Sequence, residues 1–348
     1  MVVCTKSVAD RLDYLDIAKG IGILLVLFGH NLGGFPQFTI WIYSFHMPLF
    51  FIISGWLYAY KKPSMNIRVW IKRKACSLLY PYWIFSILVI AWKVFLFLLF
   101  DSVPDTRFAK IIWQTITTYG YHAMWFLPAL FVAEVMLHLI EMKSAENKSK
   151  AIAIYGTIIL LAFLILEYRS RFLLSTPVEF GLRYIARVCV AVMFCKIGML
   201  LYAWNNRIST KTKIGVMLIC FAISVYFAKY NGTFNLAVGN VGVFPLYVLL
   251  GLSGSVVVIL FCQLIKKNAF LSFFGKNSLI VMCFHMDVSI EIAYILIGQL
   301  NLGLFFANAT IPAVAIELIL YGIMIPIVNK YFRFLVSPEW LKGKGRYL

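Results

Sequence analysis

The sequence predicts an all-α integral membrane protein: a single bundle of about ten transmembrane helices with both termini in the cytoplasm. Three observations carry this. Hydrophobic residues make up 62% of the 348 and mean hydropathy is +0.87, whereas soluble domains are about 45–50% apolar. No soluble core hides that much apolar surface. Ten apolar stretches each have roughly the length that spans a bilayer core of about 30 Å. Lysine and arginine, finally, are dense and sparse by turns in the segments between them.

The residues ahead of the first span are polar and include Lys6, Asp10, Arg11, Asp13 and Asp16. They are too many and too acidic for the n-region of a signal peptide, so the first apolar segment, near 17–33, is expected to persist as a helix. The second span lies near 39–60 and contains Pro48. The third lies near 76–100, behind a basic cluster. Residues 101–120 are only moderately apolar and read as an interfacial helix or a re-entrant piece. The fourth span, near 121–141, carries Pro128 and Glu134. Such prolines are tolerated in a membrane helix where neighbours re-satisfy the freed backbone groups, which points to an internal cavity. Four apolar spans follow near 151–168, 184–203, 213–229 and 241–264. The ninth, near 277–298, holds His285 and Asp287, and the tenth lies near 306–332. No internal repeat, low-complexity tract or long linker interrupts the series, so residues 1–348 read as one membrane-embedded domain. The seven cysteines are scattered and mostly lie inside apolar runs, which predicts buried thiols rather than a disulfide framework.

Charge sets the orientation. Twenty-two Lys and Arg fall in one alternating set of segments and seven in the other. The positive-inside rule then places both termini in the cytoplasm. The net charge of +18 is thus mainly topological and does not signal nucleic acid. The cluster from Lys61 to Lys74 has two compatible readings, an anchor on anionic lipid and a phosphate site for a ligand arriving from the cytosol.

Chemistry concentrates in a few spans. Eleven residues separate Lys19 from His30, a helical rise of roughly 16 Å close to three full turns, so the two share one face. His46 enters the second span from its outer half, and Glu134, His285 and Asp287 lie in the fourth and ninth. A lone intramembrane histidine is as often a helix–helix strut. Three of them beside two carboxylates favour a shared polar interior, since ionisable groups at such depth are costly. His122 and His138 read as interface residues. Asp16, three positions before Lys19, is placed to pair with it.

The segments Leu12-Asp13-Tyr14-Leu15-Asp16-Ile17-Ala18-Lys19-Gly20 to Gly29-His30, Phe45-His46-Met47-Pro48 to Ser54-Gly55, Trp125-Phe126-Leu127-Pro128, and Asn277-Ser278 to His285 together resemble the acyltransferase-3 family of integral-membrane O-acyltransferases, most of all its fucose 4-O-acetylase-like branch. The resemblance extends over nearly the whole chain and implies transfer of an acetyl group from acetyl-CoA to a hydroxyl of a cell-surface or lipid-linked carbohydrate. It implies His30 as general base, assisted by His46, with Lys19, Arg73, Lys72 and Lys74 on the coenzyme phosphates. Asp13, Asp16, Glu134, Trp125, Asn277, Ser278 and His285 would be polar or structural members of the site. No metal is expected, and the setting implied is a multi-pass protein of a bacterial inner membrane. One departure stands out: where the family often carries an Arg-x-x-Arg pair ahead of a proline, this chain has Arg73, Cys76 and Pro81. A transporter or flippase for an anionic or glycolipid substrate is the alternative reading. It lacks the paired half-sequences of many transporters.

Overall fold

The computed structural model describes residues 12–31, 35–61, 66–100, 105–144, 147–172, 177–232, 234–300 and 309–338. Lys6, Arg11, Lys62, Lys342, Lys344 and Arg346, which entered the charge count, lie outside them. Apart from short connecting turns the described chain is helical, with one isolated bridge between Asn235 and Asn240. In order the helices are α1 (Asp13–Asn31), α2 (Pro36–Lys61), α3 (Ile67–Lys74), α4 (Tyr80–Phe100), α5 (Asp105–Ile116), α6 (Phe126–Ser144) and α7 (Lys148–Phe172). There follow α8 (Pro177–Asn205), α9 (Thr210–Ala228), α10 (Phe244–Ile265), α11 (Ala269–Lys276), α12 (Ser278–Phe284), α13 (Ile290–Gln299) and α14 (Thr310–Tyr331).

Among the described residues, nine helical stretches are long and apolar enough to cross a membrane. They match the second to tenth expected spans. The first, α1, has 19 residues and so rises about 28 Å, but Asp13, Asp16 and Lys19 crowd its first two turns and lower its hydropathy. His30 lies on its last turn, beside Asn31. Residues 105–116 of the ambiguous stretch form α5, whose 12 residues rise about 18 Å, too short to cross. The Tyr82 hydroxyl ties α5 to α4 by donating to the Gln114 and Thr115 carbonyls at 3.2 and 2.9 Å.

The third span begins earlier than hydropathy indicated. Helix α3 runs through a π-helical turn, Ala75–Leu79, into α4. Pro81 lacks the N–H that would bond to the Ser77 carbonyl, and the wider turn accommodates that loss. A second π-helical turn, His285–Ser289, joins α12 to α13.

Two helix pairs meet backbone to backbone through reciprocal glycines. A Cβ on Gly20 of α1 would stand 2.0 Å from the Leu271 carbonyl oxygen of α11, and one on Gly275 would stand 1.7 Å from that of Asp16. Likewise Gly55 of α2 faces Cys195 at 1.8 Å and Gly198 of α8 faces Ile52 at 2.1 Å. Without a hydrophobic drive inside a membrane, such close approach supplies the packing. Gly198→Val is therefore expected to force α8 off α2 and to lower the thermal midpoint in detergent. An unchanged midpoint would show that the crossing is soft.

Candidate active site

His30 contacts residues of two other elements. Its Nδ1 lies 2.7 Å from the Tyr43 hydroxyl of α2, and its ring centroid is 5.0 Å from that of His285. Gly29 permits this: a Cβ there would come within 2.9 Å of the Tyr43 ring. His46 is buried one turn further along α2 and donates from Nδ1 to the Ile42 carbonyl at 3.0 Å. Its ring sits 4.9 Å from Tyr43, so Tyr43 stands between the two histidines. His285 opens the second π-helical turn and donates from Nδ1 to the Met282 carbonyl at 2.8 Å. A carbonyl only accepts, so Nδ1 carries the hydrogen in both rings and Nε2 of the neutral imidazole has the lone pair. His285 Nε2 is buried without a hydrogen-bond partner.

A polar wall continues from this cluster. His122 Nδ1 meets Asp287 Oδ1 at 2.7 Å, and Lys93 Nζ approaches the same oxygen at 3.6 Å. Lys93 also pairs with Glu291, whose second oxygen accepts from the Trp92 indole at 2.9 Å. On the other side, Glu317 of α14 accepts from Asn31 at 2.7 Å and from Ser289 at 2.6 Å, and Tyr321 bonds to Ser289 at 2.8 Å. Sequence reasoning missed Tyr43, His122, Lys93, Glu291, Glu317 and Ser289 as members. Lys93, Glu291 and Glu317 are lone charges in apolar runs, the signal that would have found them. Tyr43 carries no such mark.

The other expected site residues stand elsewhere. Lys19 pairs with Asp16 at 3.2 Å, at the end of α1 remote from His30, with Asp13 exposed at the helix start. Lys72 and Arg73 are exposed on α3. Lys74 instead turns inward to Glu134 of α6 at 2.5 Å, and Ser54 of α2 also donates to that carboxylate. Trp125 is buried beneath the Arg187 guanidinium, 5.0 Å from its ring; Arg187 donates to the Tyr119 carbonyl at 3.1 Å and to that of Ala237. Asn277 caps the α11–α12 junction, donating to Phe273 and accepting from Asn329, both at 2.8 Å. Ser278 starts α12, a rise of about 10 Å from His285. The structure thus gathers His30, His46 and His285 and leaves the rest in separate contacts. Among the described residues no group of three His, Cys, Asp or Glu side chains is arranged to hold a metal ion.

A family model described as an acyltransferase domain, Acyl_transf_3, matches residues 12–325. A curated relative, the nodulation protein NolL of Mesorhizobium japonicum, is 26% identical over 244 residues. That match takes in 66% of this chain and 59% of the relative's length. No solved structure gives a significant match.

Proposed function

Because the chain belongs to this acyltransferase family and is a multi-pass membrane protein, we propose that it moves an acetyl group from acetyl-CoA to a hydroxyl of a cell-surface or lipid-linked carbohydrate. The observation that carries the reading is His30, held at one ring nitrogen by Tyr43 and packed against His285. In the tautomer whose Nδ1–H donates to the Tyr43 hydroxyl, Nε2 is a base. It takes the acceptor's O–H proton as that oxygen attacks the thioester carbon; the C–S bond breaks, and the departing thiolate recovers the proton. A base so placed contributes about 10²–10⁴-fold. His46 supports the cluster by packing on Tyr43.

Lys19, Lys72 and Arg73 hold the coenzyme phosphates at the cytoplasmic surface of a bacterial inner membrane, and the acyl-pantetheine arm runs the roughly 16 Å from Lys19 to His30. Lys74 joins them only by leaving Glu134. Release of free CoA thiol upon adding acceptor glycan tests the reaction. Arg73→Glu is expected to raise the KM for acetyl-CoA with little change in kcat, because phosphate contacts act equally in ground and transition states. An unchanged KM would leave Arg73 as a topology signal.

A further inference from the structure

We propose that the wall formed by His122, Asp287 and His285 is the acceptor subsite, and that it recognises a neutral polyhydroxyl ring by receiving its O–H groups. The inference rests on the reading of this site as one of acyl transfer to a hydroxyl. Both contacts to Asp287, from His122 and Lys93, fall on Oδ1, which leaves Oδ2 for a ligand. His122 donates from Nδ1 to that carboxylate, so its Nε2 carries the lone pair in the neutral ring. His285, two residues from Asp287 in the same π-helical turn, keeps its lone-pair nitrogen buried and unpartnered. Three hydrogen-bond acceptors therefore stand in one wall.

A ligand satisfies three acceptors only by bringing donors. Phosphate or carboxylate would bring lone pairs against lone pairs. The nearest ammonium in this wall, that of Lys93, is already shared between Asp287 and Glu291. Sugar hydroxyls supply the missing donors. Approach is also provided for: the His122 side chain is 40% exposed while that of Asp287 is 2% exposed, so an incoming ring meets the imidazole first. The backbone holds His122 at φ 41°, a left-handed conformation unusual for a residue other than glycine and concentrated at functional sites. His285 adjoins His30, so a ring seated on this wall lies beside the proposed base.

The test is equilibrium binding by calorimetry to the full chain in nanodiscs. The probes are the methyl glycosides of fucose, glucose and N-acetylglucosamine, with glucose 1-phosphate as charged control and acetyl-CoA measured separately. At least one neutral glycoside should bind, and His122→Gln and Asp287→Asn should each weaken it tenfold or more while acetyl-CoA affinity moves less than twofold. Asp287→Asn also disturbs Lys93, so His122→Gln, at an exposed side chain, carries the test should the other fail to fold. Failure of every glycoside to bind, glycoside affinity unchanged in His122→Gln, or tighter binding of glucose 1-phosphate would overturn the subsite. Glycoside binding that depends on these residues without any acetyl-CoA binding would instead overturn the donor and leave the subsite standing.

Discussion

Lys74→Met should destabilise the protein by about 3–5 kcal/mol, the usual cost of stripping one partner from a buried ion pair. Lys74 reaches from α3 to Glu134 on α6 at 2.5 Å, with the carboxylate side chain only 7% exposed. Without the ammonium, Glu134 keeps Ser54 and is otherwise a buried carboxylate without its ion-pair partner. The Lys74→Met/Glu134→Gln double variant removes both charges and should recover most of the loss, because a neutral amide in that site costs far less than a lone carboxylate. Cys189, Cys195, Cys262 and Cys283 are free and buried, so labelling with a thiol reagent during a thermal ramp reports unfolding without an engineered cysteine. A single variant that unfolds at the wild-type temperature would mean the pair contributes nothing. If its KM for acetyl-CoA rose instead, Lys74 would be a phosphate ligand after all.

His30→Ala should reduce acetyl transfer at least a hundredfold, the lower end of what a positioned general base contributes, while the protein still inserts and unfolds near the wild-type temperature. The side chain is only half-buried on the last turn of α1, and the packing of that helix rests on Gly20, Gly22 and Gly29 rather than on the imidazole. Tyr43→Phe removes a single hydrogen bond, worth about 1 kcal/mol, and should cost about fivefold in kcat. Activity in His30→Ala above about a tenth of wild type would remove the base from that position.

Much of this architecture is written in hydropathy. Each expected span contains a helix, because a 20-residue apolar run in lipid has no other way to satisfy its backbone. The shared face of Lys19 and His30 follows from spacing alone, as does the Asp16–Lys19 pair. What sequence could not supply is partnership between spans. His122 and Asp287 are 165 positions apart, and nothing local to His122 marks it as more than an interfacial ring. Lys93 is legible as a charge in an apolar run, but its two carboxylate partners are not. The π-helical turn at His285–Ser289 shifts the register of Asp287, a change that a regular helical projection cannot anticipate. Asn277 and Ser278 belong to a motif that is visible in the sequence; Asn277 bonds at a helix junction, and His285 marks the end of the motif that faces the cluster.

Acyl transfer from acetyl-CoA at His30 is the proposal on which the roles of the other residues depend. Its most direct test is to follow labelled acetyl from acetyl-CoA into envelope glycans, in membranes carrying wild type or His30→Ala. Label is expected in glycan with wild type, with free CoA in matching amount, and neither with the variant. An intact donor and unlabelled glycan in both membranes, with a glycolipid accumulating in wild-type vesicles, would contradict it and make the polar interior a transport path.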